Sequence, residues 1–567
     1  MKASDFLVSF LIEKDVTDVF GIPGGVVLHF LDSVGKRTNE ITARLNYNEQ
    51  ASALSACGYA QASGKMAVAY ATRGPGISNM ITGIADSYYD SLPVLFITAH
   101  SHFSNQTDMR FEENQEFDIV SMATPITKYA VRVERAEDLL FELEKSYHMA
   151  ISGRPGPVLI DFLSSVLSAD IDIEGQKPFT SDIHNCSDDV SRAVKAIRQE
   201  IDISKRPIIL VGDGVRQSGS ISDVRMLIDK LGVPVLSSRF AQDVVSCKDS
   251  YFGYIGSHAM RCSNFILSKC DLIISLGNRL AFNPQSESFG KITQSAKLIR
   301  IEIDEAEFQR EIPNSVCLPI DLGEISRTLI DDEISWMDKG GWLEVCRKLR
   351  DTFQHNDIDH PVEVIASIIS EMGSQATIVS DVGNNEFWLS RAYALSGSSA
   401  RLLFSKSFGT LGCSLPKAIG AYYSSRRGVL CFTGDQGLQM NIQELQVLGR
   451  EQLPVKIILI NNSSSGMIRE DQKKRFGSRF VSSTLCSGYS VPDFERVAAA
   501  YGIEYNRVNE ESGADMFKGI LRTDKPALIE VAVDEYSYGI PYLPRGSRPQ
   551  NLEPGIAPGL FDMFDNM

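Results

Sequence analysis

Histidine is scarce and stops early. The 567-residue chain has eight, and none lies beyond His360. Any chemistry in the last third is therefore not run by imidazole from that segment, which points to a cofactor or a metal. Paired cysteines are missing too. Cys57, Cys186, Cys247, Cys262, Cys270, Cys317, Cys346, Cys413, Cys431 and Cys486 form no C-x-x-C motif, which excludes a zinc ribbon and a thioredoxin-like site. Several lie in apolar runs, such as Cys431 in VLCF, and read as reduced, mostly buried thiols of a cytoplasmic protein. No apolar run reaches the roughly 18 residues of a membrane span. The opening MKASDFLVSFLIEKD is broken by charge at once, unlike a secretory signal. Positive charge is in deficit, with 56 Lys and Arg against 72 Asp and Glu and a net charge of −16. Nucleic acid and anionic lipid are not expected partners.

What is present is ordinary globular composition, 43% hydrophobic and 23% charged, in a length that suits roughly three or four domains. Short β-rich apolar runs alternate with helix-like stretches throughout: KMAVAYATRG, LPVLFITAH, RPIILVGDG, CDLIISLG, KLIRIEID, GVLCFTGD and LPVKIILINN. Four or more strand formers closed by Gly, Asn or Asp predict buried parallel strands in an α/β fold. Three blocks emerge, at 1–167, 190–335 and 362–535. A polar linker spans 168–189, and a linking helix and loop occupy 337–361. A tail at 536–567 is too rich in Pro and Gly for a long helix. The first and third blocks share a layout of strand, Gly-rich turn and helix.

The strongest chemical signal is in the third block. GVLCFTGD ends at Asp435, a helix-like stretch follows, and PVKIILINN ends at Asn462, 27 residues on. A βαβ unit puts both at the carboxyl ends of parallel strands, where ligands bind in such sheets. One carboxylate, one amide oxygen and a nearby carbonyl make an incomplete oxygen shell that suits Mg²⁺, completed by phosphate and water. Gly434 and Gly437 let the backbone approach a diphosphate.

GDQGLQMNIQEL with LPVKIILINN resembles the thiamine diphosphate binding motif of the decarboxylase and carboligase enzymes. FGIPGG (20–25), NEQASALSACGYAQASGK (48–65), RGPGISNMITGIADSYYDSLPVLFIT (73–98) and SGRPGPVLIDF (152–162) fall where that family's pyrimidine-binding domain has its motifs. The likeness spans essentially the whole chain and is closest to the acetohydroxyacid (acetolactate) synthase branch. It implies an α/β fold of three doubly wound, parallel-sheet, Rossmann-like domains: pyrimidine-binding, central FAD-type and diphosphate-binding. The irregular tail would cover the active site.

The resemblance also assigns roles. Glu49 would hydrogen-bond N1′ of the aminopyrimidine and stabilise the imino tautomer, whose nitrogen removes the C2 proton. Gln115 is the second catalytic assignment. Asp435, Asn462 and the Ser464 carbonyl would hold Mg²⁺. Gly24, Gly25, Asn384, Asn385, Gly409, Leu411, Gln436, Gly437, Gly466 and Met467 would contact the cofactor, with Leu411 propping its bent form. Glu49 and Asp435 serve different subunits' sites in that family, so a homodimer or dimer of dimers with interface sites is implied. A structural FAD would be held by Arg154, Gly212, Gly214, Gly277, Arg279, Glu302, Ile303 and Asp321. After LGNRL the chain reads AFNPQSESFGK and lacks the acidic-Arg pair of the standard synthases.

The acceptor pocket departs furthest from the branch. Asp471 stands at its tryptophan position, Arg469 at a methionine, and Asn114 at a phenylalanine before the retained Gln115; Lys128 is counted with them as a substrate contact. Arg469, Lys473, Lys474, Arg475 and Arg479 outnumber Glu470 and Asp471 in a chain that is otherwise acidic. The run is either a solvated helix face or a landing site for a larger anion. It is similar to carboligases of bacterial surface-polysaccharide pathways, and Arg545 and Arg548 could close over such a ligand. The expected activity is pyruvate decarboxylation with two-carbon transfer to a nucleotide-linked 4-keto-deoxysugar. The alternatives are acetolactate synthesis from two 2-oxo acids and simple decarboxylation. A noncatalytic homologue would be expected to lack Glu49 or Asp435, and both are present.

Overall fold

The structure, a computed structural model, describes residues 1–101, 114–115, 117–181, 187–245, 249–280, 295–338, 340–353, 356, 358–508 and 515–565. It contains three six-stranded parallel sheets, the α/β architecture expected from the alternating apolar runs. The first holds β1 (Asp18–Gly21), β2 (Thr42–Leu45), β3 (Ala67–Tyr70), β4 (Val94–His100), β5 (Tyr129–Val133) and β6 (Val158–Leu163). Its order is β2-β1-β3-β4-β6-β5. The second holds β7 (Pro207–Val211), β8 (Val235–Ser238), β9 (Tyr251–Ile255), β10 (Leu272–Leu276), β11 (Lys297–Glu302) and β12 (Ser315–Pro319), in the order β12-β11-β10-β7-β8-β9. The third holds β13 (Thr377–Ser380), β14 (Arg401–Leu403), β15 (Val429–Gly434), β16 (Val455–Asn461), β17 (Glu504–Val508) and β18 (Ala527–Ala532), in the order β14-β13-β15-β16-β18-β17. The outer two sheets have the same topology. The central one has the order of dinucleotide-binding folds, with its switch point between β7 and β10.

The central strands of each sheet are buried along their length. Covered on both faces, they carry no polar alternation, which is why PIILV and the IILI of β16 read as continuous apolar runs. Among the described residues no helix is long and apolar enough to cross a membrane. The cysteines described are free, and all but Cys317 and Cys486 are buried.

Two compact units form. One comprises Met1–Asp182, Gln375–Glu386 and Leu403–Ser537; the other Ile183–Ser374, Phe387–Leu402 and Tyr538–Met567. In the first unit, helix Glu49–Ser63 crosses helix Ser414–Ser425 at backbone contact. A Cβ on Gly58 would lie 2.2 Å from the Lys417 carbonyl oxygen, and one on Gly420 would lie 1.8 Å from that of Ser55. Beside the crossing, the fully buried Lys417 ammonium meets Asp86 Oδ2 at 2.7 Å. Asp86 Oδ1 accepts from the hydroxyls of Ser405 and Thr410, and Asp90 accepts from the amides of Lys406 and Ser407. Burial alone would lower the Lys417 pKa; Asp86 and Asp90 outweigh it and hold the ammonium charged. Lys417→Met would leave two carboxylates buried without their cation. The expected cost is about 3–5 kcal/mol, read as a lowered thermal midpoint; an unchanged midpoint would refute the role.

In the second unit, the tail from Tyr538 lies on helix Arg261–Lys269. Arg261 donates to the Leu552 and Pro554 carbonyls, Asn264 to that of Pro549, and Lys269 pairs with Asp565 at 2.9 Å. The tail ends in a short helix, Pro558–Asp565, whose Phe564 enters the core against Phe265 and Phe353. The linking helix Trp342–Phe353 joins the same core, with Trp342 donating to the Pro207 carbonyl.

Candidate active site

In the first unit, the carboxyl edges of two sheets collect most of the predicted site residues. On the first sheet, Asn48 caps helix Glu49–Ser63 by accepting from the Gln50 amide at 2.8 Å, which fixes Glu49 as the first helical residue. Glu49 Oε2 accepts from the Asn79 side chain at 2.9 Å. The turn after β3 approaches it closely: a Cβ on Gly76 would lie 3.5 Å from Glu49 Oε1. Gln115 backs onto the same turn, its carbonyl oxygen 2.7 Å from where a Gly74 Cβ would sit. The 73–76 turn thus stands between Glu49 and Gln115; Gln115 and Asn114 are exposed. Gly24 packs on Thr72, where a Cβ would fall at 2.3 Å, whereas Gly25 faces open space.

On the third sheet, Asp381 organises the edge. Its carboxylate accepts from the amides of Val382 and Gly412 at 2.8 Å, from the Ser414 hydroxyl at 2.8 Å and from the Thr433 hydroxyl at 3.3 Å. Burial raises its pKa, and these bonds oppose the rise. Asp381 therefore ties the Gly409–Gly412 loop, with the half-buried Leu411, to the ends of β13 and β15. Asn385 donates to the Asp381 carbonyl. Gly437 is tightly enclosed: a Cβ would lie 2.9 Å from Thr433 Oγ1 and 3.0 Å from the Asp381 carboxylate.

At the ends of β15 and β16, Asp435 Oδ1 accepts from the Gln436 amide and the Tyr489 hydroxyl, both at 2.8 Å. Asp435 Oδ2 is buried with no hydrogen-bond partner, and so is Asn384 Nδ2. Burial pushes the Asp435 carboxyl up to about 6, against the Tyr489 hydroxyl, the Gln436 amide and the nearby amides of Ser463 and Ser464, which donate to Asn461 and Asn462 rather than to Oδ2. Asn462 Oδ1 accepts from the Ser464 amide at 3.2 Å. The turn is braced from β18, where Glu530 accepts from Asn461, which in turn accepts from the Ser463 amide at 2.9 Å. Ser465 donates to Gln436. A Cβ on Gly466 would collide with Asn462 Nδ2 and Asn384 Nδ2, at 2.7 and 2.9 Å. Met467 is exposed. A buried carboxylate oxygen and a buried amide donor, each without a hydrogen-bond partner, ask for a cation and an anion. That donor set fits Mg²⁺ and a diphosphate.

Family models match along the chain. The thiamine pyrophosphate (diphosphate) enzyme N-terminal TPP binding domain matches residues 1–122, the central domain 194–329, and the C-terminal TPP binding domain 381–531. The acetolactate synthase large subunit of Lactococcus lactis is 32% identical, over 96% of this chain and 94% of its own length. Two from Escherichia coli, isozymes 1 and 2, are 31% and 29% identical, over 96% of this chain and 96% and 98% of theirs. The chain belongs to the thiamine diphosphate-dependent enzymes, in their acetolactate synthase-like branch.

Other predicted residues of this family member have structural partners. In the first unit, Arg154 donates to Ser91 at 2.8 Å, and Lys128 donates to the Ser152 carbonyl at 2.7 Å with its stem on Gly156. In the second unit, Gly212, Gly214 and Gly277 pack on one another: a Cβ on Gly212 would lie 2.1 Å from the Gly277 carbonyl oxygen, and one on Gly214 2.7 Å from Gly277 Cα. Their lack of side chains is thus required by the loops themselves. Asp321 caps helix Leu322–Asp331 through the amides of Gly323 and Glu324. Glu302 accepts from the amide of the exposed Ile303, and Arg279 is half-buried after β10. The AFNPQSESFGK segment lies outside the described residues.

The basic run forms helix Gly466–Phe476. Lys474 pairs with Glu470 and Arg475 with Asp471, each one turn apart. Arg469 is turned inward, 1% exposed, with its guanidinium 4.3 Å from the Tyr536 ring and 3.8 Å from Glu535.

Sequence reasoning missed Asp381, Tyr489 and Glu444. Asp381 closes a strand-like run in DVGNN and could have been found by the rule that located Asp435. Glu444 carries no local signal, because its partners are about 400 residues away: Oε1 accepts from the Tyr47 amide and Oε2 from the Asn46 side chain, both at 2.9 Å. Burial pushes its pKa from 4.5 up to about 7, against bonds from Asn46, Tyr47 and Asn48. The folded protein thus keeps a proton that the unfolded chain gives up above pH 4.5. The stability this group carries is present below that pH and is lost as pH rises through about 7. Glu444→Gln cannot ionise, so it should gain on the parent by about 2–3 kcal/mol between pH 5 and 8. Thermal midpoints of the cofactor-free proteins across pH check this; a constant difference contradicts it.

Proposed function

We propose that this enzyme decarboxylates pyruvate and joins the two-carbon unit to a second 2-oxo acid, as an acetolactate synthase does. The unpartnered Asp435 Oδ2 and Asn384 Nδ2 at the edge that carries the family's binding motif are the observation behind it. Asp435 and Asn462 with the Ser464 carbonyl would hold Mg²⁺, and Asn384 would donate to the diphosphate. When bound, thiamine diphosphate supplies a nucleophilic carbon and an electron sink for decarboxylation. Glu49 would hold and share the proton at the pyrimidine N1′. Leu411, on the loop that Asp381 ties down, would support the cofactor's bent form, and Gln115 would face the substrate beyond the 73–76 turn.

Two finer points belong to the same reading. The subunits would pair as a homodimer or dimer of dimers; exposed Leu28, Tyr89, Phe408, Met440 and Ile468 supply apolar surface for it. A structural FAD would lie at the carboxyl edge of the second sheet, supported by the strand order there, and yellow colour in the purified protein tests it.

The relatives' names favour a keto acid acceptor over the nucleotide-linked keto sugar expected from sequence. The sugar remains a second reading because polar Arg469, Asp471 and Asn114 stand at positions where the resemblance places apolar acceptor contacts. Protein with thiamine diphosphate, Mg²⁺ and pyruvate is mixed with 2-oxo acids and nucleotide keto sugars, and products are read by mass. Acetolactate from pyruvate alone supports the first reading. A branched sugar formed in preference to it establishes the second, and acetaldehyde as sole product overturns both.

A further inference from the structure

Glu444 ends a short 3-10 turn, Ile442–Glu444, nine residues after Asp435. Its two carboxylate oxygens grip consecutive residues beyond β2, the Asn46 side chain and the Tyr47 amide. Asn46 is itself buried and also donates to Ser55 at 3.2 Å. Asn48 then caps the helix that begins with Glu49. A second tether comes from Arg450, which donates to the Tyr47 hydroxyl and the Leu45 carbonyl, both at 3.1 Å. Such tethers matter here because β2 is an edge strand, bonded only to β1, and all four of its residues are only half-buried. An edge strand has no second neighbour to fix its height.

We propose that Glu444 is a positioning residue for Glu49: acting from the segment that begins at Asp435, it fixes the 46–48 turn and thereby the place of the Glu49 carboxylate. The inference rests on the role given to Glu49 above. It makes the segment that holds the phosphate end of the cofactor also responsible for aligning the carboxylate that acts on a pyrimidine ring. Glu444 touches no reacting atom, so its removal should matter only through Glu49.

A double-mutant cycle tests this. Glu444→Ala should lower kcat about 100-fold, the cost of displacing a reacting group by about 1 Å, with KM for pyruvate within about threefold. In a Glu49→Gln background the same change should cost less than about threefold. Glu444→Gln keeps the Tyr47 contact and can hold a reversed Asn46 amide, so it should lose less than about tenfold. Independently of turnover, the near-ultraviolet circular dichroism of bound thiamine diphosphate should change alike in Glu444→Ala and Glu49→Gln. Mg²⁺-dependent cofactor affinity should stay within about fivefold of the parent in Glu444→Ala. Additive losses, or a parent-like kcat and spectrum in Glu444→Ala, overturn the proposal. If Glu444→Ala does not fold, Asn46→Ala removes one tether and is judged by the same non-additivity. If the parent consumes no pyruvate, the functional reading fails, and Glu444 is still judged by the spectrum.

Discussion

Glu49→Gln should lower kcat by about two to four orders of magnitude, the usual contribution of a positioned acid or base, without unfolding the protein. The side chain sits at the first position of a capped helix, half-buried, and accepts one hydrogen bond from Asn79. Glutamine keeps that shape and can accept the same bond, so the fold has no reason to change. What glutamine cannot do is take up and return a proton at the pyrimidine N1′ that Glu49 is proposed to serve. The loss should therefore fall on kcat, with the thermal midpoint and KM for pyruvate near those of the parent. Steady-state kinetics and thermal melts decide this. Turnover within threefold of the parent would remove Glu49 from the mechanism.

Asp435→Asn should weaken Mg²⁺-dependent cofactor binding by about 100-fold or more, the cost of deleting one partner of a buried charged contact. The amide oxygen of the substituted side chain would still accept from Tyr489 and Gln436, so the local turn should persist. Stability of the cofactor-free protein should move the other way. Burial has pushed the Asp435 carboxyl up to about 6, so above that pH the cofactor-free fold bears the cost of a charge it does not stabilise. The neutral amide removes that cost. Cofactor-free Asp435→Asn should thus melt no lower than the parent at pH 8, and the advantage should shrink as pH falls below about 6. Calorimetric titration with thiamine diphosphate and Mg²⁺, with melts at both pH values, reads both effects. Unchanged binding would show that Asp435 does not hold the metal.

The residues legible in the sequence share a physical reason. Strands β15 and β16 are buried on both faces, so VLCF and IILI appear as apolar runs, and Asp435 and Asn462, just beyond the strands, mark the carboxyl edge. The same pattern made the three sheets readable. Interactions that join distant segments left no such trace. Lys417 lies in an apolar helix and reads as an intrusion until Asp86 is seen beside it. Glu444 looks like any helix carboxylate until the 46–48 turn is placed on it. Charge counting along the chain left the basic run open between a solvated helix face and an anion site, because it does not see spacing. In the helix, Lys474 and Arg475 pair with acids one turn back and Arg469 turns into the protein. The central glycines were open to a second explanation too, because two loops that pack backbone to backbone need glycine as much as a bound nucleotide does.

Release of CO₂ from carboxyl-labelled pyruvate tests the central claim most directly. The protein should release many equivalents per chain when both thiamine diphosphate and Mg²⁺ are supplied, and release should fall to background when either is withheld. No release with both present, or release indifferent to the cofactor, would contradict the account.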